Sequence, residues 1–156
     1  MRDNFPPALT NLREWEGFSS NDPYDPGGET VHGISRHYHP HMWIDGKPPT
    51  WAQAEAFYLA LWIANGCDEL ASPVDWIHFD SCVNPGPGAA KTFLMWSGEH
   101  KDPTRQSVEY AILRIRYYLK VIRSRPTSLR YMCGWTDRTL DFLERSVINK
   151  WDMEVG

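Results

Sequence analysis

Several patterns that commonly indicate function are missing from this sequence. It has no block of lysines or arginines, and its net charge of -4 gives little support to charge-driven binding of nucleic acid or an anionic membrane. Its three cysteines are widely spaced without a CxxC pair, so neither a disulfide framework nor a zinc ribbon is indicated. No phosphate-cradling glycine loop and no Ser or Cys triad pattern occurs. We therefore expect no nucleic-acid partner and no cofactor.

Long apolar runs are also missing. The N-terminal MRDNFPPALTNLREW has no apolar run of signal-peptide length, and no window reaches the roughly 18 apolar residues of a membrane span. We expect a soluble protein without stable membrane insertion, which must reach any target outside the cytoplasm by another route. Its 156 residues are 42% hydrophobic and contain no repeat, which predicts a single domain over 1–156.

The first periodic segment places a carboxylate on an apolar stripe. The stripe has steps of four, three and four residues and consists of Phe5, Leu9, Leu12 and Glu16. Gly17 is a natural C-terminal stop, so we predict a helix over about 6–16. Residues 17–49 are rich in Gly, Pro and Asp, which predicts a loop-rich lobe with a short hairpin near 30–35.

The rest of the chain is predicted to be helical, which makes the fold class mainly α. Thr50 and Gln53 form a capping-box pattern at the start of a helix that runs to Gly66, with Phe57, Leu61 and either Ile63 or Ala64 facing inward. Further helices are predicted over 74–84, from the PGPG turn to Trp96, over a long segment that ends at Pro126, and over about 128–148. The long segment has an apolar stripe of Val108, Ile112, Ile115, Leu119 and Ile122, predicted to face the core.

Glu16 is the leading candidate for acid catalysis. A carboxyl group beside Trp15 and Phe18, at the negative end of a helix dipole, is expected to favour its protonated form, as cleavage of a glycosidic bond requires. Asp25 and Thr30 follow in a turn-prone loop and could together hold a water molecule opposite Glu16. Two alternatives stay open: Asp25 merely caps the turn, or Glu16 pairs with a core arginine or a backbone amide.

Two long motifs connect these residues to a known family. EGFSSNDPYDPGGETVHGIS, from Glu16, and FDSCVNPGPGAAKTFLMW, from Phe79, resemble the two signatures of glycoside hydrolase family 108. The resemblance implies a lysozyme-like helical fold and N-acetylmuramidase activity, with Glu16 at the family's catalytic position. It also implies a catalytic part over 6–96 and a C-terminal helical part, 97–156, that resembles peptidoglycan-binding segments. The spacing from Asp25 to Thr30 is one residue shorter than in phage-type lysozymes.

Four further residues are predicted to contact substrate: His32, Trp43, Asp80 and Asn84. The alternatives are a hydrogen bond in helix packing for Asp80 and a helix cap for Asn84. His37, His39 and His41 alternate in SRHYHPHMW, but no carboxylate or thiolate completes a metal site at close spacing, so no metal is predicted. The C-terminal half is enriched in arginines, which are interpreted as a solvent-exposed helix face. They are Arg105, Arg114, Arg116, Arg123, Arg125 and Arg130.

Together these features predict a monomeric peptidoglycan hydrolase of the phage endolysin type. It would be held in the host bacterial cytoplasm, would depend on a separate membrane-permeabilising protein for release, and would then cut glycan strands of the periplasmic wall. The alternatives are a catalytically silent peptidoglycan-binding or tail-associated module, a hydrolase of chitin-type polymers, and a lytic transglycosylase.

Overall fold

A computed structural model of the chain describes residues 2–16, 19–20, 28–98 and 100–145. Over these residues the chain forms six α-helices, one small antiparallel sheet and five short 3-10 helices. The helices are α1 (Phe5–Glu16), α2 (Trp51–Ala64), α3 (Val74–Val83), α4 (Pro87–Ser97), α5 (Pro103–Ser124) and α6 (Met132–Leu143). The predicted mainly α class is confirmed. None of the described helices combines the length and apolar character needed to cross a bilayer.

Helix α1 positions the candidate acid as the sequence predicts. Phe5, Leu9 and Leu12 are buried, and they pack with residues of α2 and α3 in one apolar core. The proline pair stands in the first turn, where a missing N–H costs no helical hydrogen bond. Glu16 is the last helical residue, so its side chain leaves α1 at the edge of this core.

The sheet follows α1 and has the order β1-β2-β3. Its strands are β1 (Ser19–Ser20), β2 (Thr30–Val31) and β3 (Ile34–Ser35). The turn between β2 and β3 consists of His32 and Gly33, whose φ angles of 53° and 76° match the type I′ turn typical of tight hairpins. The hairpin predicted near residues 30–35 is confirmed. Short 3-10 helices at Pro40–Met42 and Ile44–Gly46 complete the described part of this lobe.

Helix α2 begins with the predicted capping box. Gln53 N–H donates to the Thr50 side chain, and the Gln53 side chain accepts from Thr50 N–H. The predicted inward face is only partly right: Phe57 and Leu61 are half-buried, whereas Ile63 and Ala64 are exposed. The fully buried residues are Ala54, Tyr58 and Trp62. Because this helix is apolar around most of its circumference, periodicity could not select one face.

Helix α5 shows the largest departure from the predicted packing. Val108, Ile112 and Leu119 of the predicted core stripe are between 38% and 46% exposed. The buried face consists instead of Ser107, Tyr110, Ala111, Arg114 and Tyr118. The predicted stripe is therefore wrong, because α5 turns its polar and aromatic face toward α3, where ionic and hydrogen-bonding partners lie.

Helix α3 is the centre of the molecule. It contacts α1, α2, α4, α5 and α6, and eight of its ten residues are buried. The predicted bounds of α3 and α4 agree with the structure, and the PGPG turn separates the two helices. The predicted last helix begins later, because Pro126–Tyr131 forms a 3-10 helix before α6. A charged side chain in α3 consequently has partners on several helices.

Candidate active site

The side chain of Glu16 is held by an arginine from the other end of the chain. Arg138 of α6 donates from Nη1 to Glu16 Oε1 at 2.7 Å. The Glu16 side chain is 18% exposed and that of Arg138 is 6% exposed, so the pair lies just below the protein surface. The alternative in which Glu16 pairs with a core arginine is thus the one observed. An apolar surrounding does not describe this carboxyl group, because a guanidinium is its nearest partner.

Arg138 is shared between two carboxylates. Its Nε and Nη2 atoms donate to Asp80 Oδ1 at 2.8 and 2.6 Å, and Arg114 pairs with the other oxygen of Asp80. Arg114 and Asp80 are both fully buried. Burial would raise the pKa of Asp80, but the two arginines outweigh this effect and its pKa is lowered. The pKa of Arg138 is raised despite burial, because Asp80 and Glu16 both stabilise its charge.

The result is a continuous ionic chain of Arg114, Asp80, Arg138 and Glu16. It connects α5, α3, α6 and α1, and its two positive and two negative charges balance. Buried charges are tolerated when each one has a partner and hydrogen bonds, and breaking such a chain leaves a charge uncompensated. Asp80 was predicted to contact substrate. With both oxygens engaged inside the core, it instead has the position of its alternative, a partner in helix packing.

Gly33 and Tyr58 enclose the other side of Glu16. A Cβ atom on Gly33 would lie 2.7 Å from Glu16 Oε2 and 2.3 Å from the Tyr58 hydroxyl oxygen, so only glycine fits. The Tyr58 hydroxyl donates to the His32 carbonyl at 2.8 Å, which attaches the hairpin turn to α2. Burial raises the pKa of Tyr58, and the nearby Glu16 raises it further. Tyr58 therefore stays a neutral hydrogen-bonding group beside the carboxylate.

A cleft of about 860 Å³ begins at Gly33 and Tyr58 and extends between α2, the α3–α4 turn and α5. Glu16 does not line this cleft directly, but it lies against Gly33 at the cleft's edge. The lining includes seven aromatic residues: Tyr38, Phe57, Tyr58, Tyr117, Tyr118, Tyr131 and Trp135. Tyr118 and Trp135 stack with ring centroids 4.8 Å apart. Aromatic faces of this kind suit sugar rings.

Asn84 is the predicted substrate-binding residue that does line the cleft. Its side-chain carbonyl accepts from the Tyr118 hydroxyl at 2.7 Å, and Tyr118 in turn accepts from Arg114 Nε at 2.8 Å. The amide of Asn84 is therefore oriented by the same polar interior that holds Asp80. An amide fixed in this way can donate to a sugar hydroxyl or to an acetamido group.

The other predicted site residues are more dispersed. Thr30 lies on β2, and its hydroxyl donates to the Gly28 carbonyl at 3.2 Å. His32 occupies the hairpin turn and contacts Trp51 edge-on, with centroids 5.4 Å apart. Trp43 is only 6% exposed and does not line the cleft, so a contact with sugar has no support there. Asp25 lies outside the described residues, and Phe18 does so as well.

The alternating histidines do not converge on one point. His39 lines the cleft and packs edge-on against Phe57, while His37 packs against Tyr38. Burial lowers the pKa of His39, and the neighbouring His41 lowers it further. Across residues 2–16, 28–98 and 100–145, no group of three His, Cys, Asp or Glu side chains has the arrangement of a metal site.

Sequence reasoning missed Arg138, Tyr58 and Gly33 as residues of the site. Arg138 stands 122 positions from Glu16 in a polar stretch of α6, where no local pattern marks it. Tyr58 looks like any aromatic residue of an apolar helix. Gly33 did carry a signal, because a glycine between two short predicted strands indicates a turn with positive φ. What it touches could not be predicted from that signal.

A family model described as Glycosyl hydrolase 108 matches residues 9–86, which is half of the chain. This chain belongs to glycosyl hydrolase family 108. Membership supports, in general terms, a glycoside hydrolase that acts on peptidoglycan. The resemblance that the two sequence motifs indicated is confirmed. No curated protein matches the chain.

This family 108 chain is similar in fold to the solved structure of Brucella abortus SagA. The TM-score is 0.75 at 21% identity, over 99% of this chain and 100% of that one. The predicted mainly α, lysozyme-like fold is confirmed. The family match includes Glu16, Thr30, Asp80 and Asn84, whereas Arg114 and Arg138 lie beyond it. The carboxylates of the ionic chain thus come from the matched segment and its arginines from the C-terminal helices.

Proposed function

We propose that this protein is an N-acetylmuramidase that cleaves the β-1,4 bond between N-acetylmuramic acid and N-acetylglucosamine, with Glu16 as the general acid. The observation that carries the proposal is the placement of Glu16 between Arg138 and the Gly33–Tyr58 edge of an aromatic cleft. A carboxyl group at such an edge can reach the glycosidic oxygen of a strand lying in the cleft. Asn84 and the stacked Tyr118 and Trp135 would hold the sugars.

The ion pair sets a condition on this mechanism. As general acid, Glu16 must carry a proton when the bond breaks, and the buried Arg138 must then keep another charged partner. Asp80 is that partner: when Glu16 is neutral, Arg138 keeps two hydrogen bonds to Asp80 and its buried charge stays compensated. The ionic chain can therefore accommodate both forms of Glu16.

The second catalytic group belongs to the same proposal. Thr30 on β2, together with Asp25, would hold a water molecule on the sugar face opposite Glu16, which would give inversion at the anomeric carbon. A carboxylate about 5 Å from Glu16 would instead give retention. Proton NMR of the first-formed anomer separates the two outcomes.

The biological setting is also proposed. The protein would act as an endolysin that accumulates in the host cytoplasm and reaches the wall once a separate protein has permeabilised the membrane. Residues 97–156 would contribute wall binding beside the catalytic part. The aromatic residues of α5 and α6 that line the cleft support a role of this C-terminal part in holding glycan. Sequential addition of a membrane-permeabilising agent to expressing cells would test the order of events.

One observation favours a second candidate, a catalytically silent peptidoglycan-binding module. A carboxylate held by a buried arginine is what a purely structural ion pair would look like. Such a module would retain the aromatic cleft and bind sacculi. It would release no new reducing ends.

The deciding experiment compares wild type with Glu16→Gln on purified sacculi. Glutamine keeps the shape and can still accept a hydrogen bond from Arg138, so folding is preserved while the proton donor is lost. We expect loss of reducing-end release by at least about 10²-fold. Glu14→Gln is the matched control, because Glu14 lies on the same helix with 55% of its side chain exposed. A Glu16→Gln variant that stays active, or a wild type that binds but never cuts, would overturn the assignment.

Mass spectrometry of the released fragments identifies the reaction. Reducing N-acetylmuramic acid ends are expected from a muramidase. Anhydro-muramic ends would mean a lytic transglycosylase, and faster cleavage of chitin-type polymers would mean a different substrate.

A further inference from the structure

One segment of the sequence carries more positive charges than the ionic chain uses. Between Glu109 and Asp137 the sequence has six lysines and arginines and no acidic residue, although the whole chain has a net charge of -4. This segment supplies α5, the 3-10 helix Pro126–Tyr131 and the start of α6. Arg114 is one of the six, and it forms a buried ion pair with Asp80 in the core. Another, Arg125, lines the cleft.

The guanidinium of Arg125 is a permanent positive charge in the described lining of this cleft. Among the described residues that line it, the others are apolar, aromatic or neutral polar, and no carboxylate is present. His39 is the other titratable base there, and burial, followed by the effect of His41, lowers its pKa and so favours its neutral form. The described lining of the cleft therefore presents one permanent cation to a bound molecule.

Backbone hydrogen bonds hold Arg125 in place, while its guanidinium forms no ion pair with the described residues. Its N–H donates to the Val121 carbonyl at 2.8 Å and its own carbonyl accepts from Ser128 N–H at 2.9 Å. It precedes Pro126, which disfavours a helical backbone at Arg125, and its φ of -140° and ψ of 83° are non-helical. The ion pairs formed within the described part of the chain use other arginines, namely Arg2, Arg36, Arg105, Arg114, Arg138 and Arg145.

We infer that Arg125 is a specificity residue that recognises a carboxylate carried by the glycan strand. Guanidinium groups match carboxylates with two parallel hydrogen bonds. Polymers of N-acetylglucosamine carry no carboxylate. Peptidoglycan carries them either on the lactyl group, where the stem peptide has been removed, or on the stem peptide itself. Recognition of this group would make the enzyme prefer peptidoglycan over chitin-type polymers, and the inference rests on the proposed function of the cleft.

The test measures binding in the Glu16→Gln background, so that no strand is cut. The four probes are chitohexaose, glycan strands stripped of peptides, the same strands with their lactyl carboxylates amidated, and peptide-bearing strands. Arg125→Gln removes the charge, Arg125→Lys keeps it, and Arg123→Gln is the matched control because Arg123 is exposed and does not line the cleft. Circular dichroism confirms that each variant is folded.

We expect Arg125→Gln to weaken binding of carboxylate-bearing strands by about fivefold at low salt, the upper range for an exposed ion pair, and to leave chitohexaose unchanged. Loss on stripped strands that amidation abolishes identifies the lactyl group, and loss on peptide-bearing strands alone identifies the stem peptide. The effect should shrink with added salt, since the pair is exposed to solvent.

Three results would overturn the inference: an equal loss on chitohexaose or amidated strands, an equal loss with Arg123→Gln, or no measurable preference for carboxylate-bearing strands. These outcomes are separate from the failure of the proposed function. A wild type that never cuts but binds through Arg125 would refute only the muramidase activity. A wild type that cuts without any carboxylate preference would refute only the role of Arg125.

Discussion

Gly33 offers the sharpest test of how the hairpin positions Glu16. Replacing it with alanine has two effects that can be separated. Its φ of 76° lies in the left-handed region, where a Cβ atom costs about 1–2 kcal/mol. The new methyl group would also lie 2.3 Å from the Tyr58 hydroxyl and 2.7 Å from Glu16 Oε2, so one of these groups must move.

The second effect is isolated by a matched control. Gly66 has a φ of 69°, and a Cβ atom there would meet nothing within 4 Å, so Gly66→Ala carries the backbone strain alone. We expect Gly33→Ala to lose about 1–3 kcal/mol more than Gly66→Ala, because the Tyr58–His32 and Arg138–Glu16 hydrogen bonds are disturbed. Urea unfolding at neutral pH measures the difference.

Activity gives the second readout of the same pair of variants. Displacing Glu16 by about 1 Å should lower the rate on sacculi by about 10²-fold, since general acid catalysis depends on close positioning. Gly66→Ala should keep the wild-type rate per folded molecule. If Gly33→Ala matched Gly66→Ala in both stability and rate, the contact between the hairpin and Glu16 would have no role, and the reasoning would be refuted.

Two more predictions concern the buried polar groups. Arg138→Gln should lower the free energy of unfolding by about 3–5 kcal/mol, because Asp80 and Glu16 lose a shared partner, and calorimetry showing an unchanged melting temperature would contradict this. Burial lowers the pKa of His78 from 6.5 to about 4. At a pH between these two pKa values the histidine is protonated in the unfolded chain but not in the native state. The free energy of unfolding therefore falls as the pH falls. Between pH 7 and pH 5 this loss should be about 2 kcal/mol in urea unfolding, and His78→Gln should remove that slope; an equally steep slope in the variant would show that other groups cause it.

Local sequence patterns predicted the parts of the site that depend on near neighbours. The four-three-four spacing ending at Glu16 predicted a helix with this carboxylate on its inner face, and the Thr50–Gln53 capping box predicted the start of α2. The hairpin at residues 30–35 was likewise predictable from its turn. Each of these features involves residues a few positions apart, whose conformations are restricted by their own chemistry.

The patterns failed where packing chose between two suitable surfaces. Helix α5 has an apolar stripe through Ile112 and a second face of tyrosines with Arg114, and the apolar stripe alone predicts the wrong face. Arg114 can be buried because Asp80 stands opposite it on α3, and nothing near Arg114 in the sequence identifies that partner. Trp43 was expected to contact sugar, but its side chain is buried, and no local pattern of the sequence indicates that burial.

The sequence by itself determined that Glu16 ends a helix and faces inward, and its motifs determined the family. Only the tertiary structure decided that this carboxylate shares Arg138 with Asp80, that Gly33 and Tyr58 enclose it, and that the adjoining cleft carries Arg125. The physical reason is the range of the interactions. Helix and turn preferences act between neighbours along the chain, whereas an ion pair across 122 residues exists only once several helices have packed together.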